Sequence, residues 1–117
     1  MHGSHTFSKR DRLQHGHEFR LVYEQGHKTV GKLAVVYVRA AAARAVGIVT
    51  SRAVGGAVAR NRARRLLREA YRAHKQELKN NVHIVIVART AIRGKAQRDV
   101  EAELLGLWRA AGVMAES

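Results

Sequence analysis

The segment Val82 to Ala88, VHIVIVA, constrains this chain more than any other feature. Apart from His83 it is apolar on both faces of an extended strand, so it needs cover above and below and belongs in the middle of a sheet. Two further runs suit strands, Leu33 to Val38 and Ala45 to Ser51, joined by the alanines at 40–43 and Arg44. They read as neighbouring antiparallel strands. There is room for another short strand between residues 28 and 33.

Helical spacing appears in three places. In Gly16 to Gln25, Phe19, Val22 and Tyr23 recur at i, i+3 and i+4, and Gly26 ends the pattern. Gly55-Gly56 breaks the chain before a long helix from Val58 to Lys79, which the turn chemistry of Asn80-Asn81 ends. In the last helix Val100, Leu104, Leu107, Trp108 and Ala111 share one face, with Asp99, Glu101 and Glu103 early, where carboxylates complement a helix N-terminus. The order is α-β-β-(β)-α-β-α, which gives the α+β class and a two-layer α/β sandwich. At 117 residues, 46% of them hydrophobic, the chain can bury a core as a single domain, 1–117, with residues 1–10 as a flexible basic arm.

Zero Cys removes disulfides, thiol nucleophiles and Cys-based metal sites. The chain has no apolar run of the roughly 18 residues a membrane span needs, and MHGSHTFSKR lacks the apolar core of a signal peptide. A cytoplasmic location is therefore expected, with no membrane partner.

Charge carries the functional information. Lys and Arg number 22 against 9 Asp and Glu, a formal net charge of +13, and such an excess in a small domain calls for a polyanion. From Gln25 to Arg68 there is no Asp or Glu at all, while Lys28, Lys32, Arg39, Arg44, Arg52, Arg60, Arg62, Arg64, Arg65 and Arg68 all fall inside. A surface chosen for solubility alone would mix the signs. An anionic membrane surface is a weaker candidate partner, because the basic helix has a thin, alanine-rich apolar face.

On a helical wheel with Arg60 at 0° and about 100° per residue, Arg64, Arg68, Asn61, Arg72 and Arg65 fall between roughly 40° and 140°. Leu66, Ala59, Ala70, Ala63 and Leu67 fall between roughly 240° and 340°. One face is an arginine array, flanked by Arg60 and Arg62, and the other packs on the sheet. Guanidinium suits phosphate because its planar fork donates two parallel hydrogen bonds and keeps its charge. A helix-turn-helix would need a short helix just before this one, whereas a strand and Gly-Gly precede it, so RNA is favoured over DNA.

Together the residues become recognisable. The run Val46-Gly-Ile-Val-Thr-Ser-Arg52, then Val54-Gly-Gly-Ala-Val58, then Ala59-Arg60-Asn61-Arg62-Ala-Arg64-Arg65-Leu-Leu-Arg68-Glu-Ala-Tyr71-Arg72 closely resembles the signature of the bacterial ribonuclease P protein subunit. Lys9 to Leu13 and Phe19 to Gly26 are similar to the family's opening, and Ile84 to Arg89 to its last strand. Ala34, Ala53 and Gly56 depart from the pattern, which usually has Phe at the first and basic residues at the other two, so family contacts at those positions are not carried over.

The resemblance implies a ribosomal protein S5 domain 2-like fold with a left-handed βαβ crossover, which generic rules of handedness would not produce. It implies a protein cofactor of ribonuclease P that binds the catalytic RNA subunit and the 5′ leader of precursor tRNA, promoting endonucleolytic removal of the leader. It also implies that the chemistry and its Mg2+ belong to the RNA, with no catalytic residue, metal or cofactor on the protein. The residues agree with that division: carboxylates are scattered, His15 and His17 at i, i+2 do not share a helical face, His2 and His5 lie in the arm, and His83 reads as structural.

Two surfaces follow from the resemblance. Arg60, Asn61, Arg62, Arg64, Arg65, Arg68 and Arg72 match the face against the RNA subunit. Phe19, Tyr23, Tyr37, Arg52 and Arg89 match the cleft for the single-stranded leader, with Arg10 and Arg12 as auxiliary cations. The physics is separate from the name: aromatic rings stack on splayed bases while arginines hold the backbone. Tyr37 alternates with Val36 and Val38 and so points to the opposite face from them, while for Phe19 and Val22 a helix-to-sheet core is the alternative reading. A ribosomal-protein-like RNA binder without a processing role, and more distantly a DNA-binding repressor, remain alternatives that the identity of copurified nucleic acid would separate.

Overall fold

The structure, a computed structural model, describes residues 11–115, so the arm and Arg10 lie outside the described residues. The elements are α1 (Gly16–Gln25), β1 (His27–Val30), β2 (Ala34–Ala40), β3 (Ala45–Val49), α2 (Ala57–His74), β4 (Val82–Ala88) and α3 (Gln97–Ala110). The optional short strand is real and follows α1 directly.

The strands form one mixed sheet in the order β1-β2-β4-β3. β4 is central as its apolar pattern requires, antiparallel to β2 and parallel to β3. This corrects one expectation: β2 and β3 are not paired neighbours, because β4 inserts between them. The alanine-rich connection is therefore no hairpin, and the parallel pair is closed by α2 as a crossover between β3 and β4. Local pattern identified the strands, but which of them pair with the two edges of β4 is settled between distant segments.

α2 and α3 cover one face. Leu66, Leu67, Ala70 and Tyr71 of α2 and Leu104, Leu107 and Trp108 of α3 pack with Val36, Val38, Ile84 and Ile86 of the sheet. Fully burying an aliphatic side chain contributes roughly 1.5 to 3 kcal/mol, so this layer dominates stability. Among the described residues α1 is the one helix on the opposite face, where Leu13, Val22 and Val85 form a smaller cluster with Phe19, Tyr37, Val49 and Val87 at its border. Gly26 ends α1 as expected, but not through a left-handed turn: its φ is −84°, and a Cβ there would stand 2.3 Å from the Val22 carbonyl oxygen and 2.7 Å from that of Val38.

α2 stops at His74, short of the expected Lys79, and a 3-10 turn follows at Lys75–Glu77. Tertiary partners end it. Lys75 Nζ donates to Asp11 Oδ2 at 2.9 Å, His74 lies between Glu77 and Glu101, and the Lys79 N–H turns to the Val113 carbonyl at 2.8 Å.

Candidate nucleic-acid interface

The basic run from Gln25 to Arg68 is divided by the fold into cations that hold structure and cations that face solvent. Arg44 belongs to the first group: its Nε donates to the Tyr71 hydroxyl at 3.1 Å, and Nη1 donates to the carbonyls of Leu78 and Lys79 and to Asn80 Oδ1. Nothing local in the sequence marks this, since its partners lie 27 to 36 residues away.

On α2 the array forms as the wheel predicts. Asn61, Arg62, Arg65 and Arg68 are exposed, and Arg60, Arg64 and Arg72 are half-buried. Arg64 is held in place, with Nη2 donating to Thr50 Oγ1 at 2.8 Å and Nη1 to Asn61 Oδ1 at 3.2 Å. Arg72 pairs with Glu69, which holds that carboxyl below its usual range. Arg12, in register with Val46 at the outer edge of β3, joins Arg64, Arg68 and Phe19 around a groove of about 190 Å³. The N-terminus of α2 has no side-chain cap and no acidic residue in its first turn, leaving its positive end open to an anion.

The aromatic residues meet on the α1 face of the sheet. Tyr23 and Tyr37 pack edge to face with centroids 4.9 Å apart, and Lys28 Nζ stands 5.8 Å from the Tyr37 centroid, within cation–π reach. Burial, and then the neighbouring Tyr37, push the Tyr23 phenol above its ordinary value, so it stays neutral at physiological pH. Phe19 is half-buried against β3, where a Cβ on Gly47 would stand 2.3 Å from Phe19 Cε1. Gly47 is the space the ring occupies. Val22, by contrast, is wholly core.

One feature of this face was not read from the sequence. Val30 pairs with Val35, Val35 with Val87, and Val87 with Val49, so one row of valines crosses all four strands. Cross-strand partners share a face, and the pairing of Lys28 with Tyr37 puts this row on the Tyr37 side. None of the four is buried, and Val30 is 57% exposed. The signal needed was the register, which no single strand contains.

Arg52 and Arg89 lie where the parallel strands β3 and β4 end together. Both are exposed. Their turns meet through Thr90 Oγ1, which donates to the Ala53 carbonyl at 3.4 Å. Arg89 Nη1 donates to the Gly31 carbonyl at 2.7 Å, tying its guanidinium to the turn just after Val30. That turn is itself held by Glu103, whose carboxylate accepts from the N–H groups of Lys32, Leu33 and Ala34. An apolar shelf with aromatic rings along one side and guanidinium at its end can stack bases and hold a phosphate backbone.

His83, expected to be structural, is half-buried with an unpartnered Nδ1, and burial lowers its basicity. Among the described residues no group of three or more His, Asp or Glu side chains is placed to share a metal ion. Nor is any helix among them long and apolar enough to cross a membrane.

The family model for ribonuclease P matches residues 7–112. The chain belongs to the ribonuclease P protein family. The ribonuclease P protein component of Clostridium acetobutylicum is 36% identical over 110 residues, covering 91% of this chain and 92% of the relative. The fold agrees: the Staphylococcus aureus ribonuclease P protein superposes with a TM-score of 0.81 at 25% identity, covering 90% of this chain and 98% of that one. The Thermotoga maritima protein gives 0.77 at 28% identity, covering 86% and 97%. Membership makes tRNA processing by a ribonucleoprotein the functional context of this chain.

Proposed function

We propose that this chain is the protein cofactor of ribonuclease P in the cytoplasm, holding the catalytic RNA subunit with the arginine face of α2 and the 5′ leader of precursor tRNA along the α1 side of the sheet. The observation that carries the reading is the open valine row beside the Tyr23–Tyr37 pair, closed at one end by Arg89. An apolar surface flanked by aromatic rings and cations suits an extended single strand whose bases are free to stack. Base faces would rest on Tyr37 and the valines, and Lys28, Arg52 and Arg89 would take phosphates without reading sequence. Phe19 stands at the junction with the α2 array, so leader and RNA subunit would approach from adjoining sides.

The protein's part is binding and positioning. Hydrolysis and the Mg2+ that supports it would belong to the RNA, where the cations of this chain would lower the repulsion between two polyanions. Reconstitution with a ribonuclease P RNA and a precursor tRNA at low magnesium tests this: the protein should accelerate release of the leader. RNA binding without acceleration would leave a structural RNA binder and overturn the processing role.

A further inference from the structure

On the flank of α2 away from Arg64 and Arg68, a groove of about 340 Å³ runs between the helix and the loop after β4, lined by Ala59, Arg62, Ala63, Ile92, Arg93 and Gly94. Its floor is apolar. Ile92 and Ala63 are buried and Ala59, one turn before Ala63, is half-buried. The two alanines at i and i+4 stand on one side of the helix, and their small size is what leaves the space.

The rim is cationic. Arg62 Nη2 donates to the Lys95 carbonyl at 2.8 Å, which fixes one guanidinium at the edge. The Arg93 guanidinium rests beside Gly55, where a Cβ would stand 3.5 Å from its Cζ. Among the described residues no carboxylate lines the groove and neither arginine is in an ion pair. A duplex cannot enter such a slot, but a flat ring can, with its face against Ala59 and its phosphate on the guanidinium groups.

We propose that this groove receives one unpaired nucleotide splayed out of the RNA partner, its base against Ala59 above the Ala63–Ile92 floor and its phosphate on Arg62 and Arg93. The proposal rests on the RNA-binding reading above and adds a contact on the opposite flank of α2 from the Arg64–Arg68 side. The helix is then gripped on both flanks, which fixes its rotation against the RNA as a single charged face would not.

Ala59→Leu fills the groove without changing charge, and Arg93→Gln removes a rim cation. The full chain and both variants would be titrated with a ribonuclease P RNA and with a plain RNA duplex, alongside melting curves. Ala59→Leu should weaken binding of the ribonuclease P RNA about ten-fold, the scale of one stacked base, with an unchanged salt slope and unchanged duplex affinity. Arg93→Gln should weaken it too and lower the salt slope by about one, which decides the matter if Ala59→Leu lowers the melting temperature. Both variants binding within about two-fold of the parent, or losing affinity for duplex and ribonuclease P RNA equally, overturns the groove. If Arg64→Ala weakens the complex while neither groove variant does, the groove alone falls; if the parent itself fails to bind the ribonuclease P RNA, the functional reading falls with it. Saturation of the parent by free AMP, with RNA affinity unaffected by Ala59→Leu, assigns the groove to a free nucleotide and also overturns the proposal.

Discussion

Tyr37 and Arg64 test the two surfaces separately. Tyr37→Ala should weaken binding of precursor tRNA to the reconstituted enzyme by roughly 1 to 3 kcal/mol and leave mature tRNA unaffected, since only the precursor has a leader. Equal losses for both, in a variant whose melting curve is unchanged, would refute the shelf as a leader site. Arg64 and Arg68 should show the opposite pattern: changing both to Ala should weaken the RNA subunit and lower the salt slope by about two. From the wheel alone both side chains project away from the core and their removal should leave folding almost intact. The bond from Arg64 to Thr50, a residue only 9% exposed, modifies that expectation. A stability loss of about 0.5 to 1.5 kcal/mol should accompany the weaker binding, and melting curves on the same variant separate the two effects.

At the scale of elements, α3 ties the rest together through its early carboxylates. The sequence assigns them to the helix dipole, and Asp99 does accept from the Ala96 N–H at 3.3 Å. Glu103, however, reaches the β1–β2 turn, and Glu103→Ala would strand three backbone donors there, costing about 1 to 3 kcal/mol in a denaturant titration. The same change loosens the turn that holds Arg89, so precursor tRNA affinity should fall with it. Glu101 reaches His74 at 3.1 Å. The hydrogen bond to Glu77 first, and then Glu101, raise the His74 pKa above its ordinary 6.5. A folded value above the unfolded one stabilises fully below about pH 6.5, and the benefit is lost as pH rises through the folded value. The stability gap between the parent and His74→Gln should therefore be larger at pH 6 than at pH 8.5, by about 1 kcal/mol or less as for exposed pairs. His83 carries the opposite sign because burial lowers its pKa, but it is common to both proteins and cancels in the difference. A gap independent of pH would show that His74 is merely packed.

The whole molecule is governed by its charge of +13. If about six to ten phosphate contacts form, counterion release should lower RNA affinity by about three to five decades between 50 and 200 mM monovalent salt. A nearly flat dependence would show that the cationic surface is not the binding surface. The charge is not uniformly available, however. Arg44, Arg72 and Lys75 are committed to Tyr71 and backbone carbonyls, to Glu69 and to Asp11. The measured slope should therefore follow the exposed faces of α2, the shelf and the loops, and fall well short of the net charge.

The sequence alone determined the elements and the chemistry of α2. Period and turn residues act over a few neighbours, so β4, α1 and the arginine face are each legible within their own segment, and the run from Val46 to Arg72 specified the family. What only the tertiary structure decided is everything that depends on who lies beside whom. β4 between β2 and β3, the early end of α2, Arg44 as a structural pin and the valine row across four strands all follow from pairings between distant segments. The physical reason is that the pattern of β4 states only that cover is required above and below, whereas the strands that hydrogen-bond along its two edges and the helices that cover its faces come from distant segments and are settled only when the whole chain packs.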